Sequence, residues 1–130
     1  MTRLHHVAVG SDDVERLARF YREVFTLSEA TRHHDQHGVL RSIWLDLGEA
    51  WLMIERSTAP ARVVEGVGRG PFLLALRVSV AERQRLENVL EERGHAIESR
   101  TPFTSYARDP DGNRVAFSHY PDVVERNDEP

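Results

Sequence analysis

The chain has 130 residues, 40% hydrophobic and 29% charged, which suits one globular domain and excludes two large ones. Its 17 Lys and Arg against 21 Asp and Glu leave a net charge of -4, and so small a positive field argues against a nucleic-acid partner. The opening MTRLHHVAVG lacks a secretory signal pattern, no stretch approaches the roughly 20 apolar residues of a membrane span, and zero cysteines remove disulfides, thiolates and Cys-bound zinc. The expectation is a soluble, cytoplasmic protein without a membrane partner, whose chemistry falls to His, carboxylates and Arg.

Residues 4–9 read as a strand and 12–25 as a helix, with Val14, Leu17, Tyr21 and Val24 on one face at three- and four-residue spacing. Ser11 or Asp12 serves as its N-cap. Three strand-like runs follow, a polar one at 29–34, then 39–47 and 51–55, separated by turn signals at His37-Gly38 and Gly48-Glu49. Residues 57–70, with one proline and three glycines, form a connector.

The pattern then restarts. A strand at 72–80 precedes a helix at 81–93 that turns Leu86, Val89 and Leu90 inward and stops at Gly94. Short strands are expected at 96–100, 103–108 and 114–119, the last two joined by Asp109-Pro110-Asp111-Gly112-Asn113, a strong hairpin signal. The chain is thus a tandem repeat at an offset of about 69 residues, as from Leu17 to Leu86. Module 1 spans about 3–56 and module 2 about 71–120, and an acidic tail at 121–130 is expected to fray.

The order βαβββ twice, the opening Leu4-His5-His6-Val7-Ala8-Val9, the helix end Arg19-Phe20-Tyr21-Arg22-Glu23-Val24-Phe25 and the closing Arg108-Asp109-Pro110-Asp111-Gly112-Asn113 together resemble the vicinal oxygen chelate superfamily. That superfamily includes glyoxalase I, fosfomycin- and bleomycin-resistance proteins and extradiol dioxygenases, and the likeness covers about residues 3–120. It implies an α+β fold of two tandem βαβββ modules. Their curved mixed sheets carry helices outside and enclose a half-barrel cavity, which a homodimer completes.

Metal enzymes of the superfamily draw ligands from four strands. The resemblance puts the first on His6 and the second on Glu55. The third falls on Ala75 or, after a two-residue slip, on Leu73, and the fourth on Ala116, none of which carries a donor. Two ligands fall short of the three or four that a catalytic divalent ion needs. His119 is a candidate replacement, giving a two-His, one-carboxylate set, but strand alternation turns it away from Ala116 and Ser118 unless the strand ends or bulges.

Other roles for His6 are a general base or a substrate contact, and Glu55 reads as a ligand, a base paired with His6, or a solvated strand end. His33, His34 and His37 read as a solvated loop rather than a metal cluster. Arg77 and Arg114 share the parity of the cavity positions, so they clamp a carboxylate or phosphate, or else pair with Glu55 or a partner subunit. Trp51, Met53 and Tyr106 line an apolar ligand pocket, or core and dimer interface.

The sequence favours a small-molecule-binding protein with an incomplete metal site and no cofactor, which sequesters an organic compound, an anionic one fitting the arginines, or transforms it with His6 and Glu55. The alternative is a metal-dependent lyase, isomerase or dioxygenase using Zn, Ni, Mn or Fe on His6, Glu55 and His119. A purely structural dimer module is a third reading.

Overall fold

A computed structural model describes residues 1–123. Most of the expected acidic tail, 124–130, lies outside the described residues. The chain divides into two compact units, one over 1–61 and one from Arg62 onward.

In unit 1, strand β1 (His6–Ser11) leads into helix α1 (Val14–Phe25), followed by β2 (Glu29–His34), β3 (Leu40–Asp46) and β4 (Trp51–Arg56). The sheet runs β1-β4-β3-β2, with β1 parallel to β4 and the remaining pairs antiparallel. One face lies under α1: Leu17, Ala18, Tyr21 and Val24 of the helix are buried, as are Ile43, Leu45, Leu52 and Ile54 of the sheet. Truncating a fully buried Leu such as Leu52 to Ala costs about 2–5 kcal/mol. Because side chains alternate along a strand, His6, Ala8, Trp44, Trp51, Met53 and Glu55 occupy the opposite, helix-free face.

A ring of alternating charge ties α1 to β2. Glu15 on the helix and Glu29 on the strand each accept hydrogen bonds from both Arg22 and Arg32, at 2.7–3.0 Å. Hydrogen bonding to Arg32, seconded by Arg22, holds Glu15 below the usual carboxylate range, and Arg32 does the same to Glu29.

Unit 2 repeats the plan with β5 (Leu74–Arg77), α2 (Val80–Glu92), β6 (Ser99–Arg100), β7 (Thr104–Arg108) and β8 (Arg114–Ser118), in sheet order β5-β8-β7-β6. Again the first and last strands pair in parallel. Leu86 and Leu90 of α2 and Val115 and Phe117 of β8 are buried. The hairpin turn forms as expected: Asp109 Oδ1 accepts from the backbone N–H groups of Asp111 and Asn113, and Gly112 takes a positive φ of 88°.

Both sheets are four-stranded, mixed and unclosed, and along the chain the elements follow the βαβββ order that the sequence predicts. The boundaries need correction. Helix α1 starts at Val14 with Asp13 as its cap, because Asp13 accepts from the Arg16 N–H, while Ser11 Oγ accepts from the Asp13 N–H one step earlier. Helix α2 starts one residue early, because Ser79 and Glu82 form a capping box. The strand expected over 72–80 shrinks to Leu74–Arg77, since Ser79 already belongs to that box. On α2, Val89 is only half-buried, and the carboxylate-bearing Glu87 is buried instead.

Candidate functional site

Each unit presents one helix-free sheet face, and the candidate residues divide between them. On unit 1, the pairing register aligns His6 with Trp51 and Asp46, Ala8 with Met53, Trp44 and Thr31, and Glu55 with Gly10, Ser42 and His33. His6 and Glu55 thus share a face on neighbouring strands but stand four register steps apart, about 13 Å along the strand direction. They do not form a hydrogen-bonded pair. The His6 ring instead bonds His5, Nδ1 to Nδ1 at 2.8 Å, so one of the two rings donates and the other accepts.

Around His6 the rings gather. Trp44 lies 5.5 Å from His6, 5.7 Å from Trp51 and 6.1 Å from His33, centroid to centroid, and His5 sits 5.1 Å from Trp51. Two polar atoms here are buried without a hydrogen-bond partner: Ser42 Oγ and Trp44 Nε1. Neither residue stood out in the sequence, although strand alternation in 40–46 carries the signal for both. His33 and His34 belong to strand β2 rather than to a loop, and His37 sits in the turn organised by Asp35.

On unit 2, Ala75 pairs directly with Ala116, and Tyr106 lies beyond Ala116 in the same row. Arg77 pairs with Ser118 at one end of this face, and Arg114 opens β8 at the other. Arg114 places its guanidinium 5.2 Å from the centre of the Tyr106 ring, and its Nε is buried without a partner. Ser118 Oγ accepts from Thr104 Oγ1 at 2.7 Å and from the Tyr120 N–H at 3.2 Å. With both lone pairs committed, its own O–H remains to donate. Arg108 is occupied by Glu98 and the Val64 and Gly112 carbonyls.

His119 falls on the helix side. It is buried, its Nδ1 lies 2.6 Å from the Asp122 carbonyl, and its Nε2 lies 3.1 Å from Arg83 Nη1. An Arg only donates, so Nε2 is the acceptor and Nδ1 carries the proton. Both ring nitrogens are used and a guanidinium adjoins one of them, which removes His119 as a replacement metal ligand. Arg83 also bonds Ser105, Pro102, Thr101 and Thr104, and Ser105 donates to Glu87. Burial pushes Glu87 up, but hydrogen bonds from Arg100 and Ser105 outweigh it and leave the carboxyl below its usual range.

The metal that the fold implies does not fit these residues. Ala75 and Ala116 place two methyl groups side by side where donors are required, and among the described residues no three His, Asp or Glu side chains converge to hold an ion. His6 and Glu55 alone supply two ligands.

Two tandem βαβββ units, each with its helix on one face of a mixed sheet, define a recognised class of small-molecule-binding proteins and enzymes. The chain belongs to the Glyoxalase/Bleomycin resistance protein/Dioxygenase superfamily, whose family model matches residues 3–117. No protein of curated function matches it by sequence. Among solved structures it is similar to the fosfomycin resistance protein FosX from Mesorhizobium loti, with a TM-score of 0.74 and 19% identity over 92% of each chain. It also resembles the lactoylglutathione lyase from Agrobacterium tumefaciens, with a TM-score of 0.67 and 20% identity over 91% of this chain and 93% of that one. The glyoxalase family protein from Enterococcus faecalis matches with a TM-score of 0.72 and 23% identity over 89% and 96%. Among the described residues no helix is long and apolar enough to cross a membrane.

Proposed function

We propose that this protein binds a small organic anion, a carboxylate or phosphonate, on the helix-free face of unit 2 and does so without a resident metal. The observation that carries this reading is the buried, unpartnered Nε of Arg114. A buried donor left unmatched is costly, and a guanidinium is matched best by the two oxygens of a planar or tetrahedral anion. The Tyr106 ring holds that guanidinium in place. Exposed Arg77 and the free O–H of Ser118 add further donors, so this face offers cationic and hydroxyl donors. The Ala75–Ala116 pair lies between the two arginines, with Ala75 exposed and Ala116 buried. Membership of the superfamily is consistent with a small-molecule ligand.

Calorimetric titration with aryl carboxylates and alkyl phosphonates tests the proposal. At least one compound class should bind saturably, and Arg114→Ala should weaken it at least tenfold, matching the roughly 1.5–3 kcal/mol of a hydrogen bond to a charged group. Arg77→Ala should weaken it less, since that side chain is exposed. Adding Zn, Ni, Mn or ferrous iron should leave the affinity unchanged. Equal affinity in Arg114→Ala would sink the proposal, and a tenfold rise on adding a metal would favour the metal-dependent enzyme.

A further inference from the structure

We infer that the helix-free face of unit 1 is a second recognition site, one that takes an organic ammonium cation. It goes beyond the anion site in both place and charge. The chain's only two tryptophans, Trp44 and Trp51, meet here with an angle of 61° between ring planes, and His33 stands at 73° to Trp44. Rings crossed at such angles form walls, whereas parallel stacking would hide their faces against one another. The π-faces of aromatic rings attract cations, Trp most strongly, and crossed rings are how proteins cage quaternary ammonium groups.

The rings remain reachable. Trp44 and Trp51 are half-buried, and His6, Ala8 and Gly10 on the neighbouring strand are exposed, with small residues at two of those three positions.

Beside His6 and His33, the carboxylates and arginines of this sheet are sorted between its two faces. Glu55 and Asp46 lie on it by register, whereas Arg32, Arg41 and Arg56 alternate to the other side. Arg32 is bound to Glu15 and Glu29, and Arg56 to Asp35. The Glu55 carboxylate is half-buried and makes no hydrogen bond or ion pair among the described residues. A carboxylate partly withdrawn from water gains most from a cation placed beside it. Next to it in register, Ser42 is 0% exposed and its Oγ has no partner. That hydroxyl adds a second acceptor to the same row, one buried in the protein and unused by it.

Trp44 and Trp51 give two indole N–H resonances in the intact protein, which report directly on the site, and Trp51→Phe assigns them. Phenyltrimethylammonium and choline should shift both resonances saturably. The neutral isostere of choline, 3,3-dimethylbutan-1-ol, should bind at least tenfold more weakly. Glu55→Gln should weaken the cations at least fivefold and leave the neutral compound unchanged, while Arg114→Ala should affect neither, which separates this site from the anion site. Equal binding of the neutral isostere would overturn the inference in favour of an apolar patch. Absence of any shift would overturn it outright, and shifts that appear on concentrating the protein alone would assign the face to a second copy of the chain.

Discussion

Side-chain parity was the most readable property of this chain at the scale of single residues. Alternation along 73–78 and 114–119 separates Ala75 and Arg77 from Leu74 and Leu76, and turns His119 from the face of Ala116, as the structure has it. Trp44 and Ser42 obey the same alternation, but nothing in their neighbours marks them, since their interest comes from rings and carboxylates on other strands. Thr26 was equally silent. It ends α1 with φ 56° and ψ 32°, the left-handed region that a β-branched residue occupies only under strain. Its N–H still caps the Tyr21 carbonyl, which any residue would do. Thr26→Gly should therefore raise stability by up to about 1 kcal/mol in urea denaturation, the strain relieved exceeding the backbone entropy lost. An unchanged or lower midpoint would show that the Thr26 hydroxyl bond to the Phe25 carbonyl matters more.

At the scale of elements, periodicity gave the number and order of strands and helices, and it missed what fixes α2 to its sheet. Helix α1 is read easily because its apolar stripe is broad: seven of its residues are buried. In α2 only Leu86 and Leu90 are buried apolar residues, and the third buried position is Glu87. Polar bonds supply what the stripe lacks. Arg83 reaches from α2 to Ser105, His119 and three backbone carbonyls, and Ser105 joins it to Glu87. No sequence rule pairs an Arg and a Glu on a helix with a Ser some 20 residues on, so the cluster is legible only in three dimensions. Replacing Arg83 with Met should cost about 3–5 kcal/mol, because it leaves Ser105, His119 Nε2 and three backbone carbonyls without their donor, each lost partner costing about 1 kcal/mol or more. Arg100→Met should cost less, since Arg100 is 49% exposed at its side chain. Chemical denaturation of both variants checks the order, and a reversed order would refute the assignment of Arg83 as the anchor.

At the scale of the whole molecule, the same kind of carboxylate does two jobs that pH and salt separate. Glu15, Glu29 and Glu87 are each held below the usual carboxylate range by arginines, with Ser105 assisting at Glu87. A depressed folded-state pKa means that the unfolded chain takes up protons first on acidification. These groups therefore stabilise the fold fully above the unfolded value of about 4.3, and that stabilisation is lost as pH falls through the lower folded values. The urea midpoint should hold steady from pH 7 to 5 and then drop below about pH 4.3, with Glu29→Gln and Glu87→Gln each flattening the drop. Salt then distinguishes the two clusters. Side chains in the Glu15–Arg22–Glu29–Arg32 ring are 27–36% exposed, whereas those of Glu87 and Arg83 are 10% and 14% exposed. Mobile ions screen the ring, and they reach the buried carboxylate much less. In 1 M NaCl, where the screening length is about 3 Å, Glu29→Gln should lose most of its effect on the midpoint while Glu87→Gln keeps its own. Equal salt sensitivity of the two variants would show that the Glu87 cluster is open to solvent.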